Sequence, residues 1–323
     1  MKLCIQEEHL HGEEQEIESS KLTTSGSYYF HILAVDNAGN SREYISEAVT
    51  IKSGYAISTP QDFQNMGSNL SASYYVVNDI DMNGFNFKRI TGCFQGTLNG
   101  QGHTISNLTI NNTVTSSDGY SKACIFQKAR NATFENILFK NVNLTSASAY
   151  VGVLMANADG SSGTNNSITI KKVGIVGSLS AKGYVGSFVG KTIGNIKLNF
   201  ENCYARTNFS VVGYDMGGFV GENVKSATIE VLNSYWFGKT SAAHRTGPFR
   251  GGDTASNNNQ STGGITLTNS FYNKTLFTLS VPEVTAGKGL TTAEFTNSSN
   301  FTGWDFDNTW YMSDAGYPEL KFN

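Results

Sequence analysis

Gly186-Ser187-Phe188-Val189-Gly190 and Gly217-Gly218-Phe219-Val220-Gly221 are two copies of a short apolar segment framed by small residues. The chain holds three more segments of this kind, over 124–127, 152–156 and 247–251. The central residues of these five apolar segments are 28, 34, 31 and 30 residues apart; they are Phe126, Leu154, Phe188, Phe219 and Phe249. Self-similarity at a period of about 20–50 residues is typical of stacked repeats, so the sequence predicts a repeat protein.

A second unit recurs between the apolar segments, and its copies alternate apolar and polar side chains before a polar residue. These polar residues are 36, 30, 31 and 36 residues apart; they are Asn136, Lys172, Asn202, Asn233 and Asn269. Alternation with period two indicates a strand with one buried face. Asparagine tolerates left-handed backbone and bonds turn amides, so we expect a chain corner at each of these five corner residues.

The repeats are therefore β, and the sequence predicts an all-β fold, a right-handed parallel β-helix (a solenoid) over 53–323. A β-propeller has a comparable period, but its blades usually run about 40 residues or longer and consist of antiparallel hairpins. In this chain the strands are short, and Gly and Asn mark corners rather than tight hairpins. About three short strands fit one coil, and coils stack about 4.8 Å apart with the right-handed crossover of parallel strands.

Both ends of the solenoid are expected to be covered, because an open end exposes apolar core and unpaired backbone. Thr59, Pro60 and Asp62 predict a short capping helix over 60–66, with Thr59 as N-cap and an acid three residues later. Thr291 and Glu294 repeat this pattern near the other end. The aromatic-rich tail over 290–323 is predicted to be a C-terminal cap on the last coil, with carbohydrate stacking as the alternative role of its rings.

Residues 1–52 are expected to be separate from the repeats. A charged lead is followed by a strand over 27–35, a turn rich in Asp, Asn and Gly, and a second strand over about 43–51. This hairpin resembles the last two strands of an immunoglobulin-like or fibronectin type III module. Such a sandwich needs about seven strands, so we expect the remnant of a truncated module.

Charge and hydropathy exclude several classes of protein. The 323-residue chain has a net charge of −3 and only 15% charged residues, without a basic stripe, so a nucleic-acid partner is not expected. No apolar run approaches the roughly 18 residues of a membrane span, so membrane insertion is not expected. The start turns acidic before a secretion signal could form, so we expect either a fragment of a longer exported protein, which is favoured, or export by another route.

The cysteines predict packing rather than chemistry. Cys4, Cys93, Cys124 and Cys203 show no metal-type spacing and no CxxC pair. Cys124 and Cys203 fall inside repeat units where small apolar residues would pack, so we expect buried thiols. No cofactor and no metal is expected.

The end motifs of the repeat region resemble a known family. Residues 94–108, which read FQGTLNGQGHTISNL, are similar to the opening coil of bacterial surface proteins with GLUG repeats, and the segments at 186–190 and 217–221 resemble the GLUG motif. Residues 301–320, from Phe-Thr-Gly-Trp-Asp-Phe to Tyr-Pro-Glu-Leu, resemble their terminal motif. The resemblance covers about 55–323. It implies surface display in a Gram-positive or gut bacterium, as in adhesins and in non-catalytic regions of immunoglobulin A-cleaving metallopeptidases, and it supplies no binding residues.

No constellation in the sequence favours catalysis. A zinc peptidase of that kind needs HExxH, and none of the histidines lies in that motif. Asp79 and Asp81 share one face of a predicted strand, but in this turn-like segment backbone bonding is the better interpretation than acid–base work. The longest insertion, 239–264, carries no paired carboxylates. We therefore expect no enzyme, with a polysaccharide-degrading β-helix enzyme as the least favoured alternative.

The favoured function is a non-catalytic module on the bacterial cell surface that binds a host glycoprotein or a polysaccharide. The expected contacts lie in three loops, 112–122, 157–166 and 239–264, since long loops in compact folds are functional or disordered. The candidate binding residues in and next to these loops are Tyr120, Asp159, His244, Arg245, Arg250 and Asp253. A structural spacer that displays a neighbouring domain is the alternative, and other domains of a longer surface protein are expected partners.

Overall fold

A computed structural model describes residues 26–29, 31–47, 49–51, 53–112, 123–147, 149–211, 215–224, 226–240, 245–251, 264–277 and 287–322. The chain divides into two compact units, Met1–Gly54 and Tyr55–Asn323. No helix among the described residues has the length and apolar character needed to cross a membrane.

The first unit contains a hairpin, as the sequence predicts. Its strands are β1 (Gly26–Tyr28), β2 (His31–Val35), β3 (Ser41–Ile45) and β4 (Val49–Ile51). β2 pairs antiparallel with β3, and β1 pairs antiparallel with β4. The turn forms because the Asp36 carboxylate accepts the backbone N–H groups of Ala38 and Asn40 at 2.8 and 2.9 Å, while Gly39 supplies the positive φ of 84°.

The second unit is mostly β. It contains one α-helix, α1 (Pro60–Asn65), and three short 3-10 helices at Met66–Ser68, Glu294–Thr296 and Ser298–Asn300. The strands are β5 (Tyr55–Ile57), β6 (Ser73–Val76), β7 (Ile80–Asp81), β8 (Ile90–Phe94), β9 (Thr97–Asn99), β10 (Thr104–Ser106), β11 (Thr109–Asn112), β12 (Phe126–Ala129), β13 (Ala132–Ser146), β14 (Met155–Gly160), β15 (Asn166–Ala181), β16 (Val185–Gly186), β17 (Val189–Gly194), β18 (Ile196–Glu201), β19 (Tyr204–Val211), β20 (Asp215–Gly217), β21 (Val220–Glu222), β22 (Thr228–Leu232), β23 (Tyr235–Trp236), β24 (Arg245–Gly247), β25 (Gly264–Thr268), β26 (Phe271–Asn273), β27 (Lys288–Leu290), β28 (Trp310–Met312) and β29 (Pro318–Leu320).

These strands pair in parallel with their counterparts one repeat away. A 15-stranded sheet runs from β5 to β27, a five-stranded sheet has the order β8-β12-β14-β17-β21, and a three-stranded sheet has the order β16-β20-β24. Among the described residues of this unit, β28 and β29 form the one antiparallel pair. The prediction of parallel β repeats is confirmed, and the antiparallel blades of a propeller are not what the repeats form.

All five predicted corner residues adopt left-handed backbone, with φ between 45° and 52°. Asn202, Asn233 and Asn269 follow β18, β22 and β25, whereas Asn136 and Lys172 lie within β13 and β15. Neighbouring corners also bond one another, since the Asn269 side-chain amide donates to the Asn233 side-chain oxygen at 3.2 Å. Left-handed backbone disfavours most side chains but not Asn, which explains why Asn recurs there.

The central residues of the five apolar segments are fully buried and lie against one another. The Phe188 and Phe219 rings are 4.7 Å apart, and those of Phe219 and Phe249 are 5.0 Å apart. The flanking glycines are required by space: a Cβ on Gly186 would lie 2.5 Å from the backbone nitrogen of Gly221 in the next repeat. The apolar segments therefore stack with their backbones in direct contact.

The predicted capping helix is present as α1. The Thr59 hydroxyl accepts the Asp62 N–H at 3.1 Å, and the Asp62 carboxylate accepts the Thr59 N–H at 3.0 Å, so the capping box is complete. Thr291 and Glu294 make the same reciprocal bonds at 3.1 and 2.6 Å. The predicted buried thiols are also observed at Cys124 and Cys203.

The aromatic tail does not cap the last repeat, which corrects the prediction for 290–323. Its side chains pack on outward-facing residues of successive strands, among them Phe271, Tyr235 and Tyr204. The Trp304 indole donates to the Asn269 carbonyl at 2.7 Å, and the Trp310 indole donates to the Asn202 side chain at 3.3 Å. The tail therefore lies along the side of the sheet. An outward-facing aromatic residue stands two positions after each of the corner residues Asn202, Asn233 and Asn269, and the tail buries these three rings. Its rings are buried, which leaves no face for carbohydrate stacking at Trp304 or Trp310.

Candidate functional site

A row of polar residues crosses the five-stranded sheet. Cα register places Cys93 beside Lys128, Lys128 beside Asn157, Asn157 beside Lys191, and Lys191 beside Glu222. We call these five residues the polar row. Neighbouring parallel strands are about 4.8 Å apart, so the row is a continuous line of side chains.

The apolar segments explain why polar side chains line up here. Each row member after Cys93 stands two residues beyond a buried residue at the head of its strand, namely Phe126, Met155, Val189 or Val220. The ladder between β8 and β12 shifts register between Phe126 and Lys128. Such an irregularity re-aims the following side chain, which here is that of Lys128.

Two ion pairs lie on the polar row. Lys128 Nζ is 3.4 Å from Asp159 Oδ2, with side-chain exposures of 28% and 7%. Lys191 Nζ is 2.9 Å from Glu222 Oε2, with side-chain exposures of 22% and 13%. Both pairs are shielded from water more than ordinary surface pairs, so their interaction is screened less by salt.

A stacked pair of tyrosines stands beside the row. The rings of Tyr150 and Tyr184 are 5.0 Å apart with planes at 12°. Lys191 Nζ lies 5.0 Å from the centre of the first ring and 5.5 Å from that of the second, within cation–π range. Both rings are partly exposed, so the surface formed by the two tyrosines is aromatic and has the Lys191 ammonium at its edge.

The charged state of the row follows from these contacts. Burial opposes charge on Lys191, but the adjacent Glu222 carboxylate outweighs it and raises the pKa of the ammonium. Burial also opposes charge on Asp159, yet hydrogen bonds from Ser161 and the charge of Lys128 together lower the pKa of that carboxyl. The row therefore carries both signs of charge at neutral pH.

Asn157 occupies the centre of the row and is fully buried. Neither its Oδ1 nor its Nδ2 atom has a hydrogen-bond partner within the described part of the chain. A buried amide without partners costs about 1–3 kcal/mol, so its place between two lysines calls for an explanation.

The sequence found only one residue of this site, Asp159. The loop predicted over 157–166 is wrong in its first part, because Met155–Gly160 is strand β14, and Asp159 is buried in an ion pair. Arg250 is also buried, at 7% exposure, and bridges to Val220 in the neighbouring repeat. Arg245 begins β24 opposite Asp215, in the three-stranded sheet and not in the five-stranded sheet that carries the polar row.

The other predicted binding residues, Tyr120, His244 and Asp253, lie outside the described residues, as does most of the loops 112–122 and 239–264. Sequence reasoning missed Lys128, Lys191 and Glu222, and it included Asn157 only as the first residue of the predicted loop 157–166. Their shared place, two residues after the buried residue that heads each strand, is a pattern that could have revealed them.

The acids considered for catalysis bond the backbone. Asp79 accepts the Thr104 N–H at 2.9 Å, and Asp81 accepts the Asn83 N–H at 2.9 Å. The Asn107 side chain donates to Asp81 at 2.7 Å and, with Asn83, lowers the pKa of that carboxyl. Within the described ranges, no group of three or more His, Cys, Asp and Glu side chains is placed to hold a metal ion.

Comparison with known proteins places the fold. No protein-family model and no curated protein sequence matches this chain. The chain is similar to the crystal structure of a Bacteroides ovatus protein proposed to be an immunoglobulin A1 protease, with a TM-score of 0.56 and 18% identity over 84% of this chain and 93% of that one. It is also similar to a chain named IgA1 protease, with a TM-score of 0.42 and 15% identity over 78% of this chain and 22% of that one. The first likeness shows a shared fold.

Proposed function

We propose that the chain is a non-catalytic binding module of a bacterial surface protein, and that Tyr55–Asn323 forms a right-handed parallel β-helix. The parallel register between repeats supports this architecture, as do the stacked rings of Phe188 and Phe219 and the left-handed corners. In stacked repeats each unit contacts its neighbours, so the body is a scaffold and function resides on one face.

The observation that carries the proposal is the polar row with its tyrosine pair. Sugars present both hydroxyl groups and apolar ring faces. The partly exposed rings of Tyr150 and Tyr184 supply an amphipathic surface, and Lys191 and Glu222 supply a charged donor and acceptors that form strong hydrogen bonds. We propose that the tyrosine pair and the adjacent part of the polar row contact a host glycoprotein glycan or a polysaccharide.

The likeness to the Bacteroides ovatus protein supports the fold alone. The proposed action on immunoglobulin A1 belongs to that protein, and at 18% identity it does not transfer to these residues. We propose that this chain is a non-catalytic region, displayed outside the cell beside other domains, and that the hairpin of β2 and β3 is a remnant of an immunoglobulin-like or fibronectin type III module.

Binding of the full chain to a glycan array and to immobilised mucin tests the proposal. Replacing both tyrosines, Tyr150→Ala and Tyr184→Ala, should weaken binding at least tenfold, because aromatic contact is lost while the ladder remains. Tyr55→Ala is the matched control, since Tyr55 is 57% exposed on the 15-stranded sheet. Binding that survives the double change would place the contact elsewhere.

A structural spacer is the second candidate. It is favoured because the repeats stack around one continuous buried core. A spacer binds no glycan. The absence of binding on both the array and mucin would favour it and refute the binding module.

A further inference from the structure

Asn157 differs from the other buried side chains of the five-stranded sheet because its amide is without partners. It is 0% exposed, and neither polar atom of its side chain bonds to any described residue. Buried polar groups are nearly always hydrogen-bonded, so an exception calls for a specific explanation. A side-chain amide that serves as a reactant rather than as a hydrogen-bonding group would supply one.

The residues around this amide have the chemistry of an amide exchange. Lys128 is its direct neighbour on β12, and Asp159 lies two residues further along the strand of Asn157, on the same face. Lys128 Nζ is 3.4 Å from Asp159 Oδ2. The register therefore places an amine, an amide and a carboxyl group at adjacent positions of β12 and β14, and the carboxyl side chain is 7% exposed.

We propose that Lys128 and Asn157 form an intramolecular isopeptide bond, with Asp159 as the group that moves the proton. The ammonium of Lys128 gives a proton to Asp159, and the neutral Nζ attacks Asn157 Cγ. The new Nζ–Cγ bond forms, the Cγ–Nδ2 bond breaks, and Nδ2 takes the proton from Asp159 and leaves as ammonia. The freed Asp159 carboxylate then takes the second proton from the bonded Nζ, which becomes the N–H of a neutral amide. The amide carbon keeps its oxidation state, so no oxidant or other reactant is needed.

The first of these steps starts from the charged pair that Ser161 and Lys128 stabilise, so the reaction proceeds through the small neutral fraction of the pair. Proton transfer within the pair gives a neutral amine and a neutral acid, and the burial of Asp159 lowers the cost of that transfer. The long lysine side chain is flexible, and a buried lysine loses its proton far more readily than an arginine does. The product replaces the primary amide by a secondary amide, which leaves one N–H donor fewer without a partner in the interior.

Lys191 also neighbours Asn157, on β17, the strand on the other side of β14 from β12. Its ammonium contacts other groups. Its Nζ lies 2.9 Å from Glu222 and over the rings of Tyr150 and Tyr184. Glu222 is on β21, the strand beyond Lys191, so this lysine extends away from Asn157. The geometry therefore assigns the reaction to Lys128 and makes Lys191 the matched control.

Intact-mass spectrometry of the denatured full-length chain tests the assignment. The wild-type protein should be lighter than its sequence mass by one ammonia molecule. Digestion should give a branched peptide that joins Lys128 to Asn157. Lys128→Arg and Asn157→Ala should each restore the full mass, Asp159→Asn should leave most of the protein unlinked, and Lys191→Arg should keep the loss.

Three outcomes would overturn the proposal. A wild-type chain at its full sequence mass shows that no bond forms. A loss of ammonia that persists in Lys128→Arg indicates cyclisation of an asparagine on its own backbone instead. If Lys191→Arg abolishes the loss of ammonia and Lys128→Arg does not, Lys191 forms the bond and the assignment to Lys128 is wrong. Each readout is made on unfolded protein, and the wild type alone decides whether the bond exists, so a variant that folds poorly does not weaken the test.

Discussion

Gly186→Ala should destabilise the protein strongly, because the added methyl group has no space. A Cβ at this position would lie 2.5 Å from the Phe219 carbonyl oxygen and 2.5 Å from the Gly221 nitrogen, and closer still to the Val189 carbonyl oxygen. All three atoms belong to the backbone, so no side chain can rotate away. Ordinary contact begins at about 3.4 Å, and the two repeats would have to separate locally by about 0.9 Å.

That separation would break the hydrogen bonds that join the two repeats at this point. The N–H groups of Ser187, Phe188 and Val189 donate to carbonyls of the next repeat at 3.3, 3.1 and 3.2 Å. Each such bond contributes about 1 kcal/mol net, so their loss costs about 3 kcal/mol before any change in apolar packing. We therefore expect the free energy of unfolding to fall by at least 3 kcal/mol, roughly a 150-fold change in the unfolding equilibrium.

Urea unfolding followed by tryptophan fluorescence measures this change. Gly264→Ala is the matched control, because among the described residues a Cβ there meets only the Thr228 methyl group, at 3.7 Å. The control should stay within about 0.5 kcal/mol of the wild type. A Gly186→Ala protein within 1 kcal/mol of wild type would refute the direct backbone stacking of the apolar segments.

Three further predictions concern other parts of the second unit. Trp310→Ala should cost about 3–5 kcal/mol in urea unfolding, because the ring is 0% exposed and stacks 4.2 Å from Trp304. Tyr311→Ala, at a 41% exposed neighbour, should cost less than about 1 kcal/mol, and equal effects would contradict the packing of the tail on the sheet. Thr59→Ala should cost about 1 kcal/mol by removing the N-cap, whereas Thr59→Ser should be nearly neutral; a harmless alanine would show that the cap does not stabilise α1. Burial raises the pKa of the Cys203 thiol from 9.0 to about 12, so the unfolded thiol ionises first and stability is lost as pH rises from 9 to 12. Between pH 9 and 10 the wild type should lose roughly 1 kcal/mol more than Cys203→Ala, and identical pH profiles would show that the thiol is not buried.

The candidate site shows why sequence reasoning reached one of its residues and missed the rest. Asp159 stood out because it lies near a stretch rich in Gly, Ser and Asn. Lys128, Asn157 and Lys191 are about 30 residues apart, and nothing in their local sequence says that they are neighbours. Their contact depends on the register of three strands and on the shift between β8 and β12.

The sequence by itself determined the features that each repeat decides locally. Spacing alone predicted the period, alternation predicted which side chains are buried, and Asn136, Asn202 and Asn269 marked the left-handed corners. Thr59 and Asp62 likewise predicted the start of α1 from a stretch of four residues. These features depend on backbone preferences and on the polarity of adjacent residues, which are visible in any short stretch.

Only the tertiary structure decided which repeats touch, and where the tail lies. The tail over 290–323 was expected on the end of the last repeat, yet its described residues cover the outward rings of Tyr204, Tyr235 and Phe271. Both places would bury aromatic surface, and the hydrophobic effect has no direction of its own. The choice between them rests on long-range partners, such as the Asn202 amide for Trp310 and the Glu319 carboxylate 2.7 Å from Arg206.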